Sequence, residues 1–256
     1  MRVEHKVVVV TGAGSGIGAA IARRFAREGA RAIVVVDLNG AAAEAVAVEI
    51  GGLGLQADVA SELELLRIIE VAQARFGPID LFCSNAGTTA IGGPEVADAA
   101  WQRVWEVNVM AHVYVARALV PAMLERGHGY LLQTASAAGL LSQFDAPYAV
   151  TKHAAVAFSE WLAMTYGSRG VRVSCLCPGG VDTPMFRAET AARQHLLGEG
   201  LLSADNVADA VIEGLDAERF LILPQPWIAD LMRRKADDPD RWLRGMARLH
   251  DKARTA

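Results

Sequence analysis

The stretch Thr11-Gly12-Ala13-Gly14-Ser15-Gly16-Ile17-Gly18 decides the fold, because it joins an apolar run typical of a strand to a helical pattern. The apolar run is Lys6–Val10, and the helical pattern continues from Ile17 to about Glu28. Glycines permit positive φ angles and let the main chain approach a ligand closely. The start of the following helix presents free N–H groups and the positive end of the helix dipole. In this strand–turn–helix setting the motif predicts a site for the phosphates of a dinucleotide.

An acidic residue, Asp37, ends the next apolar run along the chain, with Leu38 beside it. In dinucleotide-binding folds an acid at this place hydrogen-bonds the ribose hydroxyls of the adenosine. A 2′-phosphate there would meet the carboxylate directly, and two like charges about 4 Å apart repel by about 4 kcal/mol at an intermediate dielectric. The turn offers Ser15 rather than a basic residue, and Arg23 and Arg24 lie deeper in the helix, where surface positions are expected. The sequence therefore predicts NAD rather than NADP as the cofactor.

Further apolar and β-branched runs alternate with helical patterns along the chain. Strands are predicted at Lys6–Val10, Ala32–Val36, Leu53–Ala57, Ile79–Cys83, Gly129–Thr134, Val171–Cys177 and Phe220–Leu223. Predicted helices between them include Glu62–Phe76, Ala97–Leu124, Pro147–Gly167 and one that Ser203 caps and that ends near Leu215. This alternation predicts an α/β fold, a doubly wound, single-domain Rossmann architecture with a parallel sheet of about seven strands and helices on both faces. Within the single domain 1–256, residues 5–223 form the predicted core and residues 224–256 a helical C-terminal extension packed on it.

Composition and charge exclude several classes of protein. The chain has 256 residues, 52% of them hydrophobic, which is enough for one large domain with a full core. A formal net charge of −4 gives no reason to expect nucleic acid or an anionic membrane as a partner. No apolar run approaches the length of a membrane span and the N-terminus lacks a signal-peptide pattern, so a cytoplasmic protein is expected. Cys83, Cys175 and Cys177 lack the spacing of a zinc site, so we expect buried reduced thiols and no metal.

A second group of polar residues lies further along the chain. Tyr148 and Lys152 stand four residues apart in a predicted helix, so they share one helix face. An ammonium beside a phenol favours the phenolate, and a phenol that loses its proton near neutral pH can act as a general acid or base. Ser136 precedes the pair at the end of a predicted strand, where α/β sheets bind ligands, and Asn108 lies further upstream. Chance often produces the Tyr-x-x-x-Lys spacing, but the glycine-rich turn supports a functional interpretation.

Taken together, these motifs resemble the short-chain dehydrogenase/reductase family over residues 5–223. Thr11–Gly18 matches the family's glycine turn, and Asn108, Ser136, Tyr148 and Lys152 match its catalytic tetrad. Other stretches match segments that contact the cofactor in the family: Asp58-Val59, Asn85-Ala86-Gly87, and Pro178-Gly179 with Val181 and Thr183. The cofactor site that the resemblance implies comprises Gly12, Ser15, Gly16, Ile17, Gly18, Asp37, Leu38, Asp58, Val59, Asn85, Ala86, Gly87, Tyr148, Lys152, Pro178, Gly179, Val181 and Thr183.

The resemblance implies reversible hydride transfer between NAD(H) and a secondary alcohol or ketone. Tyr148 would act as the general base, and its pKa must fall by roughly two to three units from ~10 for it to work near neutrality. Lys152 would lower that pKa and bind the nicotinamide ribose, Ser136 would orient the substrate oxygen, and Asn108 would hold a water that links Lys152 to solvent. Thr134 is the alternative to the serine, since Ser136 stands only 12 residues before Tyr148.

Loops at the carboxyl ends of the predicted strands are expected to choose the substrate. They are Thr88–Val96, Leu140–Ala146 and Met185–Leu202, and the last corresponds to a mobile lid in the family, with Gly198 and Gly200 permitting bending. Few charged groups converge on the predicted pocket, so an apolar secondary alcohol or ketone is expected, with Ser136, Gln143 and Tyr148 as its contacts. An NADP-dependent ketone reductase, an epimerase and a non-enzymatic NAD-binding sensor on the same fold stay open as alternatives.

The resemblance also implies self-association. Family members usually dimerise through two long helices, here Ala97–Leu124 and Pro147–Gly167, so a homodimer or homotetramer is expected. The C-terminal extension leaves the tetramer open, because in some relatives this region forms a dimer–dimer contact. The extension could instead cover the pocket with Trp227 or Met232.

Several other residues are expected to be structural. His153 follows Lys152 directly and so lies on a different helix face, and His112 is expected to be a packed or surface histidine. Trp101 and Trp105 have helical spacing and are expected in the core. Asp237–Asp240 is expected to form a solvated turn.

Overall fold

A parallel sheet of seven strands forms the centre of the protein, which is seen here as a computed structural model describing residues 1–189, 194 and 200–255. The strand order is β3-β2-β1-β4-β5-β6-β9, and each neighbouring pair is parallel. The strands are β1 Val7–Thr11, β2 Ala32–Asp37, β3 Leu53–Gln56, β4 Leu81–Ser84, β5 Gly129–Thr134, β6 Val171–Leu176 and β9 Leu221–Ile222. Two short strands, β7 Val181–Asp182 and β8 Leu202–Ser203, form a separate pair.

Helices cover both faces of this sheet. They are α1 Gly16–Arg27, α2 Gly40–Ile50, α3 Glu62–Phe76, α4 Asp98–Trp105, α5 Ala111–Glu125, α6 Ala138–Leu141, α7 Ala146–Tyr166, α8 Pro184–Arg187, α9 Ala204–Asp216, α10 Trp227–Asp237 and α11 Pro239–Thr255. A π-helical turn, Glu106–Met110, joins α4 to α5, and a 3₁₀ turn, Gly167–Arg169, follows α7. The predicted doubly wound α/β fold is confirmed.

The central strands are buried on both faces, which explains why they read as continuous apolar runs. In β1, Val8 and Val10 point into a core shared with α1, α2 and α9. Val7 and Val9 point into a second core, which is shared with α3, α5 and α7. Successive side chains of a strand point to opposite faces, so alternate residues belong to two separate cores, one on each side of the sheet.

The strand order reverses between β1 and β4, and this reversal positions the site. The chain builds outward from β1 to β2 and β3, then returns to the other side of β1 to add β4 and the remaining strands. In open α/β sheets, ligands bind at the carboxyl ends of the strands beside such a reversal. The carboxyl ends of β1, β2, β4 and β5 bring Thr11, Asp37, Ser84 and Thr134 to this edge.

Local structure departs from prediction at several places. The helix predicted as Ala97–Leu124 is interrupted by the π-helical turn that contains Asn108. The loop predicted at Leu140–Ala146 begins inside the short helix α6, and the predicted last strand, Phe220–Leu223, shortens to β9. Ser203 caps α9 as predicted, because its hydroxyl accepts a hydrogen bond from the N–H of Asn206 at 3.1 Å.

The long helical segment Asp98–Glu125 is apolar and long enough to cross a membrane, contrary to the expectation that no apolar run approaches that length. More than half of its most apolar stretch is buried inside the protein, where α5 packs on the sheet. Arg117 on this segment pairs with Glu62 of α3. The segment is thus a core helix of this fold, a setting in which the same length and composition are common.

The prediction that Trp101 and Trp105 lie in the core is wrong. Trp105 is 38% exposed and Trp101 is half-buried. Both residues share one helix face, but Val104 carries the fully buried position of α4. Helical spacing alone did not show which face of the helix meets the sheet.

The C-terminal extension forms two helices that pack on α6. Ile228 is fully buried with Ala137 and Leu141, and Leu231, Met232 and Trp242 pack against this group. The break between α10 and α11 is the single exposed residue Asp238, so the predicted turn Asp237–Asp240 shortens to this position and its other residues belong to the two helices. The three cysteines are buried and free, and the Sγ atoms of Cys175 and Cys177 lie 3.7 Å apart on one face of β6 and the residue after it.

Candidate active site

The glycine-rich turn packs directly on the segment that follows β4. Gly12 has a φ of 62°, and a Cβ there would lie 2.7 Å from Cα of Ala86. A Cβ at Gly18 would lie 2.2 Å from the carbonyl oxygen of Gly12. The hydroxyl of Thr11 accepts hydrogen bonds from the N–H groups of Asn85 at 3.0 Å and Ala86 at 3.2 Å. Glycine is thus required at both positions, and the turn and the Asn85 segment form one rigid wall.

The carboxylate of Asp37 is fixed by backbone donors on both sides. One oxygen accepts a hydrogen bond from the N–H of Gly14 at 2.9 Å, and the other accepts from the N–H of Asn39 at 2.9 Å. These bonds tie the end of β2 to the glycine turn. The carboxylate therefore stands as a rigid acceptor at the edge of the cavity described below.

Asp58 is held by Arg103, a residue that the sequence analysis missed. The guanidinium of Arg103 donates two hydrogen bonds to the carboxylate, at 2.9 and 3.0 Å, and the N–H of Ala60 donates a third at 3.0 Å. Burial opposes ionisation of Asp58, but these bonds outweigh it and lower the pKa of its carboxyl. The pair joins α4 to the segment after β3, so Asp58 stays charged and fixed in place.

A cavity of about 380 Å³ runs along this edge of the sheet. It is lined by all of the predicted cofactor residues except Gly179 and Val181, which line a neighbouring cavity instead. The wall also contains residues that were not predicted: Ala57, Thr88, Arg103, Val107, Thr134, Ala135, Pro184 and Met185. Nearly all of the residues predicted to bind the cofactor therefore line one cavity.

Tyr148, Lys152 and Ser136 meet where the two cavities join. Tyr148 lines both of them, Lys152 lines the first and Ser136 the second. The Lys152 ammonium donates a hydrogen bond to the carbonyl oxygen of Thr134 at 2.9 Å and lies 5.7 Å from the centroid of the Tyr148 ring. The Thr134 hydroxyl donates to Asn85 at 3.3 Å, whereas the Ser136 hydroxyl acts on Tyr148 to lower the pKa of its phenol. Ser136 thus shares the second cavity with Tyr148, whereas the hydroxyl of the alternative residue, Thr134, is bonded to Asn85 beside the first.

Asn108 reaches the same region from the π-helical turn. Its amide exchanges two hydrogen bonds of 2.9 Å with the backbone N–H and carbonyl of Thr88, and it donates a third to the Thr151 hydroxyl at 3.1 Å. Asn108 is fully buried and lines neither cavity among the residues that the structure describes. Its side chain fixes the loop after β4 against α7, and π-helical turns often occur at functional sites.

The pKa values of the central pair are set mainly by burial. Burial raises the pKa of Tyr148, and the Ser136 hydroxyl offsets only part of this rise. This direction is opposite to the lowering that a general base working near neutral pH would need. Burial also lowers the pKa of Lys152, to about 8, because the ammonium is removed from water.

The second cavity, of about 160 Å³, opens on the other side of Tyr148. All three predicted substrate contacts, Ser136, Gln143 and Tyr148, line it, and Phe144, Met185 and Phe186 make much of its wall apolar. The charged residues of its described lining are two acids, Asp145 and Glu189, which the sequence did not single out. Half of the predicted lid Met185–Leu202, including Gly198, lies outside the described residues.

The extension does not cover this cavity with the residues that were predicted. Neither Trp227 nor Met232 is among the described residues that line it. Met232 packs against α6, and the Trp227 indole nitrogen lies 3.0 Å from the place of a Cβ at Gly200. The extension instead contacts a residue of the cavity wall, because the His250 ring lies against the Phe144 ring at a centroid distance of 5.2 Å.

The two histidines near the tetrad have structural surroundings. His112 is buried, and its Nδ1 hydrogen-bonds the side-chain oxygen of Gln133. Burial, aided by the charge of Lys152, lowers the pKa of His112 to about 3, so its ring is neutral. His153 Nδ1 donates to the Ala149 carbonyl oxygen at 2.8 Å. Both placements agree with the sequence-based expectation for these residues.

Comparison with known proteins places the chain in a family. The family model described as short chain dehydrogenase matches residues 6–194. The 1-deoxy-11-beta-hydroxypentalenate dehydrogenase of Streptomyces exfoliatus is 40% identical over 248 residues, which cover 93% of this chain and 90% of that protein. The chain therefore belongs to the short chain dehydrogenase family of oxidoreductases.

Solved structures give the same result. A short chain dehydrogenase/reductase from Burkholderia phymatum in complex with NAD superposes with a TM-score of 0.85 at 29% identity, covering 94% of this chain and 96% of that one. A 7α-hydroxysteroid dehydrogenase complexed with NADH and 7-oxo glycochenodeoxycholic acid gives a TM-score of 0.79 at 28% identity, covering 87% and 93%. The family resemblance stated from the motifs is confirmed.

Proposed function

We propose that this protein is an NAD-dependent dehydrogenase that transfers hydride between a neutral, mainly apolar secondary alcohol and NAD, and that catalyses the reverse reduction of the ketone. The observation that carries the proposal is the position of Tyr148, which lines both cavities at their junction. A base at that junction reaches the substrate hydroxyl on one side and the cofactor on the other. Solved relatives with NAD and NADH support the choice of cofactor class.

The first cavity fits a dinucleotide. Its glycine turn leaves no room for side chains at Gly12 and Gly18, as the approach of a phosphate to the main chain requires. The rigid carboxylate of Asp37 would accept hydrogen bonds from the ribose hydroxyls of the adenosine. Asp58, Val59 and Leu38 would hold the adenine end, and Lys152 would bind the nicotinamide ribose.

In this proposal the bound cofactor supplies the hydride acceptor, and the side chains of this chain move the proton. Ser136 orients the substrate oxygen towards Tyr148, and Tyr148 removes the hydroxyl proton. The pKa of Tyr148, which burial raises in the protein alone, must be lowered by cationic groups beside the phenol. Lys152 is the resident cation, and Asn108 fixes the neighbouring loop and would hold the water of a proton relay.

The second cavity favours a neutral substrate. Phe144, Met185 and Phe186 offer apolar surface, whereas Asp145 and Glu189 would repel a carboxylate or phosphate placed near them. Two relatives are named for hydroxyl-bearing compounds, a hydroxypentalenate and a hydroxysteroid, and both compounds in these names also carry an acid group. They support an alicyclic secondary alcohol or the matching ketone as the substrate, whereas the preference for a neutral one rests on Asp145 and Glu189 alone. A homodimer or homotetramer and a cytoplasmic location stay predictions from the sequence.

The test is a dehydrogenase screen with NAD over alicyclic secondary alcohols, hydroxysteroids and polyols. For a substrate that reacts, Tyr148→Phe should lower turnover at least about a hundredfold, because the base is lost. NAD binding, measured by calorimetry, should change little. Tyr166→Phe, at the end of the same helix, serves as the matched control. Full activity of Tyr148→Phe would refute the assigned base, and a wild-type protein that binds NAD but oxidises nothing would favour the non-enzymatic sensor.

A further inference from the structure

A buried glutamine links the start of the C-terminal extension to the junction of the two cavities. Gln225 lies between β9 and α10, and it is 2% exposed. Its side-chain oxygen accepts a hydrogen bond from the N–H of Gly179 at 3.0 Å, and its side-chain nitrogen donates to the carbonyl oxygen of Gly180 at 2.9 Å. A buried amide is costly unless it is paired, so these bonds fix the geometry of both partners.

The backbone that Gln225 holds lies beyond the end of β6 and outside the main sheet. Pro178 lines both cavities, and Gly179 and Gly180 line the second. A Cβ at Gly179 would lie 3.3 Å from the Gln225 amide nitrogen, so the side chain packs closely on this glycine. The amide of one side chain thus pairs with two successive backbone groups of this segment.

The same segment also contacts the catalytic serine. The carbonyl oxygen of Pro178 accepts a hydrogen bond from the N–H of Ala137 at 2.8 Å and from the Ser136 hydroxyl at 3.5 Å. A shift of the Pro178–Gly180 backbone would therefore change the position of Ser136 and the wall of both cavities. A displacement of this kind near reacting atoms lowers rates strongly.

We propose that Gln225 is a positioning residue, which sets the backbone of residues 178–180 so that the nicotinamide end of the cofactor and the substrate carbon meet beside Tyr148. This inference rests on the proposed function, because it assumes a nicotinamide cofactor in the first cavity. Gln225 touches neither cavity among the described residues, so it acts through the backbone that it holds. If Gln225 served only the stability of the fold, its loss would affect the adenosine end and the nicotinamide end of the cofactor site equally.

The test compares two ligands that differ in the nicotinamide. Gln225→Met keeps the length of the side chain and removes both hydrogen bonds. Calorimetry with this variant should show NADH binding weakened at least about fivefold, as expected for lost hydrogen bonds. Binding of ADP-ribose, which lacks the nicotinamide, should change by less than about twofold. Equal weakening of both ligands, or no change in either, would overturn the inference.

Two further variants keep the test decisive. Ile228→Val shortens a nearby side chain that is fully buried and makes no polar contact. Its binding of NADH and of ADP-ribose shows the effect of looser packing of the extension alone. If Gln225→Met does not fold, Gln225→Glu keeps the acceptor for Gly179, removes the donor to Gly180, and should show the same selective loss of NADH. A wild-type protein that binds neither NADH nor ADP-ribose would refute the proposed function itself, whereas normal wild-type binding with an unselective variant refutes only the role of Gln225.

Discussion

At the scale of single residues, the proposed preference for NAD over NADP depends on one carboxylate. Asp37 is held by the N–H groups of Gly14 and Asn39, so it cannot turn away from a ligand at the edge of the cavity. A phosphate about 4 Å from such a carboxylate meets a repulsion of about 4 kcal/mol at an intermediate dielectric. Free ribose hydroxyls at the same place would donate hydrogen bonds to it instead. This contrast explains why NAD is preferred in our proposal.

We predict that Asp37→Asn narrows the preference for NAD over NADP by at least about tenfold, because the repulsion of the 2′-phosphate is removed. NAD itself should bind more weakly, since one strong acceptor for its ribose is lost. Calorimetric titration of both cofactors measures the ratio. Glu70→Gln removes a carboxylate from the exposed face of α3 and should leave the ratio unchanged. An unaltered ratio in Asp37→Asn would contradict the role given to Asp37.

Some site residues could be predicted from the sequence, and others could not, for a physical reason. The glycine turn, Asp37 and the Tyr148–Lys152 pair could be predicted because their members lie close together in the sequence, where a turn or a helix fixes their relative positions. Arg103 and Gln225 act through partners far away in the chain, Asp58 and Gly179, so no local pattern marks them. The raised pKa of Tyr148 likewise follows from burial, which the sequence does not display.

At the scale of elements, the apolar pattern of the sequence predicted where the long helices lie, but it did not predict irregular turns within them. The apolar face of the segment from α4 to α5 continues through its π-helical turn, so the periodic pattern read as one helix. The π-helical turn places Asn108 where its amide reaches Thr88 and Thr151. Helix α6 was missed because a helix of four residues is too short to show a period.

The outer face of α7 carries apolar side chains that the single chain leaves uncovered. Met164 is 76% exposed and Trp161 is 49% exposed. Exposed apolar groups of this kind on one helix are typical of an interface. We predict that static light scattering at micromolar concentration gives a mass at least twice the 27.2 kDa of one chain. Met164→Glu should shift the protein towards the monomer, because a buried charge in an interface is costly.

The control for this prediction is Val48→Glu on α2. Val48 is 71% exposed and nearly matches Met164 in exposure, but it lies on a different helix. This variant should keep the mass of the wild type. A monomeric wild type, or equal behaviour of the two variants, would contradict an interface on α7.

At the scale of the whole molecule, stability should depend on a buried histidine. The pKa of His112 lies at about 3 in the folded protein, against an ordinary value of 6.5, because burial disfavours its charged form. Between these values the unfolded chain holds one proton more at this residue. Its contribution to stability is therefore complete above pH 6.5 and falls by about 1.4 kcal/mol for each pH unit below it.

We predict that His112→Gln flattens the fall in unfolding free energy below pH 6.5, although it also destabilises the protein at neutral pH by changing the contact with Gln133. Urea unfolding at a series of pH values measures the slope. His128→Gln alters an exposed histidine and should follow the wild type. Parallel profiles for the wild type and His112→Gln would show that His112 does not carry this dependence.

The overall architecture was the part best predicted from the sequence. Seven apolar runs separated by helical patterns permit few arrangements other than a parallel sheet covered on both faces. The placement of α10 and α11 could not be predicted in the same way. It depends on which apolar side chains of the extension contact α6. The spacing of apolar residues along the sequence does not show such a contact between distant segments.

The measurement that tests the central claim most directly is isotope transfer. A secondary alcohol that reacts in the screen is labelled with deuterium on its carbinol carbon and incubated with NAD and the protein. Mass spectrometry of the reduced cofactor should find one deuterium per molecule with the wild type, and almost no labelled product in the same time with Tyr148→Phe. Reduced cofactor without deuterium, or labelled product formed equally fast by Tyr148→Phe, would contradict hydride transfer with Tyr148 as the base.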